Sequence, residues 1–193
     1  MTLGQFFFKN RSYTPLPLLI PLFIFGRPTI ISLIIGFIIV AIGESIRFWG
    51  VAYAGGETRT TKIGASNFVT QGPYAYIRNP LYAGNILMYF GVSVMGNSLF
   101  PYLQVIGLLY FYLQYRFIVI EEEKFLKDKF KERYDDYYRS VPAFITNFKP
   151  YDLTKQSKLK FNFNEAYRSE KRTFQAIFSM ILMILLIFIL IQG

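Results

Sequence analysis

Apolar and polar positions fall in long blocks along this chain rather than in short alternating runs. Residues 30–43 are almost pure hydrocarbon, and 174–191 are nearly so. A helix needs ~20 such residues to cross a hydrocarbon core. Two more apolar blocks lie between them, Leu81–Leu99 and Pro101–Ile120, and a shorter one, Tyr13–Phe25, is broken by Pro15, Pro17 and Pro21. The pattern predicts about five spans. The first, Tyr13–Phe25, is thin and kinked, or re-entrant. Helices follow over Thr29–Ala54, over Leu81–Leu99 and over Pro101–Ile120, and the last span covers Phe174–Gln192. Gly84, Gly91 and Gly96 in the third would let another helix approach closely. Between the last two spans the character changes. Leu126, Phe130, Tyr134 and Tyr137 recur at helical spacing within a charged stretch, Glu121–Ser140, that Val141-Pro142 ends. That is the stripe of an amphipathic helix. The expected fold is therefore all-α: a polytopic membrane helix bundle in one domain, 1–193, with an amphipathic helix before the last span. Its chemistry-bearing core is 43–142, and a basic segment with the last span makes up 143–193.

Composition agrees. The chain is 53% hydrophobic with mean hydropathy +0.31 and only 17% charged, too apolar for an ordinary soluble domain. The net charge of +9 is unevenly placed. Lys9 and Arg11, then Arg59, Lys62 and Arg78, then the whole 121–172 region fall on one side of the expected bundle. Arg27, the uncharged 91–101 link and the carboxyl terminus fall on the other. The positive-inside rule makes the first side cytosolic, N-in and C-out. The basic excess then serves orientation and contact with anionic lipid, not nucleic acid. The first residues lack the pattern of a cleavable signal peptide. With no cysteine and no histidine, thiolate chemistry, a His-ligated metal and a Ser-His-Asp triad are excluded, and no metal site is expected.

Candidate chemistry gathers on the cytosolic side. Asn67–Tyr82 is polar, aromatic and turn-rich, with turn signals at Gly72-Pro73 and Asn79-Pro80. Pro80 suits the first turn of a helix whose free N–H groups point back into the loop. Tyr74, Tyr76 and Tyr82 read either as interfacial belt residues or as the walls of a polar pocket. Glu122 lies on the inward stripe of the amphipathic helix, with Glu121 expected to face water and Glu123 to pair with Lys127. An inward carboxylate needs compensation. Arg47, Arg78 or Arg116 would supply it, and so would a bound cation or ribose. Glu44 and Arg47, three apart, read either as a helix-end ion pair or as part of a polar site.

Three pieces in order resemble the isoprenylcysteine carboxyl methyltransferase and phospholipid methyltransferase superfamily of membrane enzymes: Gly43-Glu-Ser-Ile-Arg-Phe-Trp49 with Ala54-Gly55; Val69-Thr-Gln-Gly-Pro-Tyr74 with Arg78-Asn-Pro-Leu-Tyr-Ala-Gly84; and Glu122-Glu123-x-x-Leu126 through Val141-Pro142. The resemblance covers about half the chain. It implies S-adenosylmethionine as methyl donor and a lipid or lipidated amphiphile as acceptor. Carried over position by position, it implies cofactor contacts from Phe68, Val69, Tyr74, Arg78, Asn79, Pro80, Leu81, Tyr82 and Glu122. It also implies catalytic roles for Glu122 and for an acceptor-side arginine, whose nearest match is Arg116. Asn79 stands where the family usually has His, and Lys131 where it usually has Gly. Sterol and steroid reductases of the same superfamily use NADPH, and a lipid-binding scaffold without catalysis is a third reading. The reductase motif is less similar: Leu81 and Asn85 stand where it carries Asn and an acid.

Overall fold

The computed structural model describes residues 1–55, 64, 67–152, 154–156 and 159–192. The Arg59 and Lys62 expected in a cytosolic loop lie outside the described residues. Among those described, all regular structure is helical. A short α1, Leu3–Asn10, starts at Thr2, which forms a capping box with Gln5. The nine-residue α2, Leu16–Ile24, carries Pro21 inside it. The long α3, Ile30–Ala54, is capped by Thr29 and Ser32 in the same reciprocal way. A 3₁₀ turn at Gly72–Ala75 leads to α4, Pro80–Gly96. Then come α5, Tyr102–Phe130; α6, Glu132–Ser140; and α7, Phe163–Gln192.

The result is a helical membrane bundle, but not one of five long spans. Among the described residues, three helices are long and apolar enough to cross a membrane: α3, α5 and α7. The proline-bounded α2 is only ~14 Å long, and α4 at 17 residues reaches ~25 Å, short of a ~30 Å core at 1.5 Å per residue. The last helix also begins earlier than expected. Its first turns take in residues 163–172, so the basic segment ends in helix rather than in loop.

The centre of the bundle is a glycine seam. Gly36 and Gly43 on α3 meet Gly91 and Gly84 on α4, the spacing of seven running in opposite directions on the two helices. A Cβ added at Gly43 would stand 2.7 Å from the Gly84 carbonyl oxygen, and one at Gly84 2.6 Å from the Gly43 carbonyl oxygen. The two helices are therefore antiparallel and in backbone contact, as small residues permit in membranes. An apolar core of Leu22, Val40, Met95, Leu103 and Ile184 ties α2, α5 and α7 to this pair. Outward, α3 presents Ile31, Ile34, Phe37, Ile38 and Ile42, the face a lipid tail would cover.

The expected amphipathic helix is split. The fourth apolar block and the start of the charged stretch form one continuous α5, which breaks at Lys131 (φ 48°, ψ −126°) before α6. Glycine takes that conformation readily and lysine does not. The residue that departs from the family's glycine thus sits where glycine is favoured. After α6 the chain returns along the 3₁₀ turn. Arg78 N donates to Pro142 O, Asn147 N to Tyr76 O and Tyr151 N to Ala75 O, each at 2.8 Å. This strap, with Tyr134, Tyr137 and Val141 packed against Ala75 and Phe68, builds a second core over one end of the bundle.

Candidate functional site

Beneath that second core is a cavity of about 200 Å³. One wall is the loop before α4, where Gly72 takes φ 60° and so turns the chain tightly under the rings of Tyr53 and Trp49. Pro80 then opens α4, and Asn79 lends its carbonyl to Ala83 N. The opposite wall is the end of α5 with α6, and a third side is closed by α1. All the expected cofactor residues, from Phe68 and Val69 through Tyr74 and Arg78–Tyr82 to Glu122, line this one space.

Glu122 Oε1 accepts a hydrogen bond from Tyr82 Oη at 2.7 Å. None of the three arginines suggested by the sequence neutralises it. Arg47 donates to both oxygens of Glu170 on α7, at 2.8 and 2.9 Å, and to Asn85 Oδ1 at 2.6 Å. Arg78 donates to Glu123 at 2.9 Å, to Tyr138 O at 2.8 Å and to Val141 O, with its guanidinium over the Tyr138 ring. The Glu123–Lys127 pair expected from spacing gives way to this one. An i,i+4 pair on a solvated face is worth a few tenths of a kcal/mol, whereas Arg78 joins Glu123 where both are nearly buried. Glu121 is half-buried, with its Cγ close to Gly4 of α1. Arg116 is exposed and does not line the cavity. Six residues from Glu122 at 3.6 per turn, it points ~120° away around α5.

Other residues arrive that spacing did not single out for the site. Phe8 and Arg11 reach it from α1 and the turn after it, and Asn85 and Phe125 complete its lining. Asn85 Nδ2 donates to Tyr115 Oη at 3.0 Å, and Tyr115 stacks on Tyr82 with ring centres 4.8 Å apart. A chain of contacts therefore runs from Glu170 through Arg47, Asn85, Tyr115 and Tyr82 to Glu122. At the top, Tyr137 Oη donates to Tyr74 O at 2.7 Å, and Asn79 Nδ2 donates to Ala143 O at 3.2 Å. Burial holds the phenols of Tyr74, Tyr134 and Tyr137 well above the usual tyrosine range, reinforced by Glu122 at Tyr74, Glu123 at Tyr134 and neighbouring phenols at Tyr137. They stay neutral and act as hydrogen-bonding groups, not as bases. The lining thus combines flat aromatic faces, neutral hydroxyl and amide groups, the guanidinium groups of Arg11, Arg47 and Arg78, and the Glu122 carboxylate, which accepts from a phenol.

Residues 31–133 match the phospholipid methyltransferase family. The chain belongs to that family. The matched segment runs from α3 into the start of α6, and it contains both the Asn79–Tyr82 corner and Glu122. Family membership makes this a methyltransferase-type membrane protein. Among curated relatives, the chain is 32% identical to the cobalt-zinc-cadmium resistance protein CzcN of Cupriavidus metallidurans, over 62% of this chain and 51% of that one. It is 34% identical to the nickel-cobalt-cadmium resistance protein NccN of Alcaligenes xylosoxydans xylosoxydans, over 58% of this chain and 49% of that one. The chain spans about half the length of these relatives. No solved structure gives a significant match. The family's matched segment leaves out α1, α2 and α7, which bring Arg11 and Glu170 to the site.

Proposed function

We propose that this protein transfers a methyl group from S-adenosylmethionine to an amphiphile embedded in the membrane, at a site on the cytosolic face. The observation that carries this reading is Glu122, a carboxylate in an aromatic cavity, held by Tyr82 and not cancelled by Arg47 or Arg78. Such a group suits a sulfonium, an ammonium or ribose hydroxyls. The residues present fit the cofactor: Phe68, Tyr74, Tyr134 and Tyr137 offer flat faces for a purine, and Asn79 offers amide hydrogen bonding. When bound, the cofactor would supply an electrophilic methyl carbon to the acceptor's lone pair, with S-adenosylhomocysteine as the leaving group.

The chain's own part is positioning and exclusion. Glu122 favours positive charge in the chamber, Tyr82 fixes its carboxylate, and the strap with α6 keeps water from the acceptor. Asn79, in place of a histidine, holds no proton near neutral pH, so it positions rather than abstracts. The basic residues of the α5–α6 end and the strap set this end of the bundle toward the cytosol.

The test is ligand titration of purified protein with S-adenosylmethionine, S-adenosylhomocysteine and NADPH. Binding of the first two and not the third is the expected outcome. NADPH binding alone would make the protein a reductase, and no binding of any of them a lipid-binding scaffold. Lipid mass spectrometry of cells with and without the gene then identifies the acceptor by a mass gain of one CH2.

A further inference from the structure

The strap carries large apolar side chains that the bundle does not use. Ile145 and Phe148 are 79% and 94% exposed. Asn147, between them, is fixed by its main-chain bond to Tyr76 O, so a held backbone presents both side chains outward. Scattered apolar residues on a surface mean little; the place of these two gives them meaning. Phe144, one residue before Ile145, meets Tyr112 of α5 edge-on with ring centres 5.6 Å apart. Tyr112 is itself exposed, on a stretch of α5 that also turns Leu108, Leu109 and Leu113 outward, and α5 is long and apolar enough to cross a membrane. Ile120, still apolar and exposed, lies ~12 Å nearer the charged end of that helix at 1.5 Å per residue. The strap thus reaches down onto the lipid-facing side of the bundle. Four residues of chain span at most ~14 Å, so Ile145 and Phe148 stay near that depth and continue the same surface. Charge fits the same partner. No acid occurs between Pro142 and Pro150, and the flanking Asp136 and Asp152 are engaged by Lys155 and Thr154. Lys149 beside Phe148 is exposed, and so is Arg116, one turn from Tyr112 on the same face of α5.

We propose that the strap is a membrane-docking element: Ile145 and Phe148 insert into the bilayer interface at this end of the bundle, and Lys149 and Arg116 meet anionic headgroups there. Aromatic rings settle at that depth, and basic residues beside them gain from anionic lipid. The same strap lies over the cavity, tied to its wall by Arg78 N to Pro142 O and Tyr151 N to Ala75 O. The membrane surface therefore helps to hold the cavity covered. The inference does not depend on what the cavity binds.

The chain has no cysteine, so one introduced cysteine carries the only spin label. Phe148→Cys and Ile145→Cys are labelled in the full chain, in vesicles of phosphatidylcholine with phosphatidylglycerol. Leu109→Cys is the lipid-facing reference and Asp128→Cys the water-facing one, both positions being exposed. Oxygen, which concentrates in lipid, should relax the labels at 145 and 148 more than a water-soluble nickel chelate does, as at 109 and opposite to 128. A label at 148 that behaves as at 128 overturns the inference. So does spin–spin broadening at 148 that vanishes on dilution with unlabelled protein, which would put a second copy of the chain on this face. The second readout is amide exchange at Asn147 and Tyr151 in the same vesicles. The double variant Ile145→Ser with Phe148→Ser should quicken it about tenfold, since the apolar contact that keeps the strap down is gone. Phosphatidylglycerol should slow exchange severalfold in the parent, and less in Lys149→Gln. Exchange that is unchanged in the double variant, or indifferent to anionic lipid in the parent, also overturns the inference.

Discussion

Glu170 offers the most stringent test of how the site is held. Its side chain is fully buried, and it receives two hydrogen bonds from Arg47, itself only 12% exposed. Replacing Glu170 with Leu removes both acceptors and strands a guanidinium inside the bundle, a loss of about 3–5 kcal/mol. Glu170→Gln keeps the shape and one acceptor, so about half that loss is expected. The pair Arg47→Met with Glu170→Leu removes both partners of that contact and should recover about half of the loss, because buried Glu44, 3.8 Å from Arg47, then loses its cation. Function should not return with it. Arg47 also fixes Asn85, which fixes Tyr115 beneath Tyr82, so the double variant should bind S-adenosylhomocysteine more weakly than the parent despite the stability it recovers. Urea unfolding in a single detergent, run as a double-mutant cycle alongside cofactor titration, reads both quantities. If Glu170→Leu costs less than about 1 kcal/mol, or the two substitutions simply add, the pair does not hold the bundle as described.

Four more outcomes can be measured. Glu122→Gln and Tyr82→Phe should each weaken S-adenosylhomocysteine binding about tenfold or more, the worth of a charge-assisted hydrogen bond, without shifting the melting temperature by more than a few degrees. Gly84→Ala should cost about 1–3 kcal/mol, because its new methyl would lie 2.6 Å from the Gly43 carbonyl oxygen and the helices must part; Gly107→Ala, with open space around it, is the control. Lys131→Gly should stabilise the fold by about 1 kcal/mol in unfolding measurements, since φ 48° with ψ −126° suits only glycine well. Asp136 is held below the usual carboxylate range by Lys155 and the Tyr151 hydroxyl, so its contribution to docking the strap is present above the unfolded-state value near pH 4 and is lost as pH falls through the lower folded one. Amide exchange at Tyr151 should accordingly quicken under acid, and in Asp136→Asn this acid response should be absent.

The parts of the fold that sequence made visible are those written in local pattern. The hydrocarbon run that follows Thr29 marks α3 to within a residue, and the stripe through Leu126, Phe130, Tyr134 and Tyr137 places Glu122 facing inward. The Asn79-Pro80 corner follows from what proline does to its neighbour and to the first turn of a helix. What stayed hidden depends on contacts across the chain. Glu170 reaches Arg47 over 123 residues, and no periodicity in the last span announces it, because one acid in a basic stretch reads as a solvated charge. Arg11 read only as one of the charges that orient the bundle. Only the folding of α1 against α5, through Gly4 and Phe8, turns it inward. Arg116 failed for a simple reason of angle, and the split at Lys131 because a single residue in a left-handed conformation leaves no trace in a hydrophobic pattern.

The glycine pairing of α3 with α4 bears on how anything gets in or out. Where main chain rests on main chain there is no rotamer to flip and no void to trade, so that pair behaves as a fixed plank. Any opening of the cavity must therefore come from its other sides, α1 and the strap, whose three main-chain hydrogen bonds to the loop before α4 can part and re-form. Those are doors hung on a stiff frame, and the frame is what keeps Tyr82 aimed while they swing.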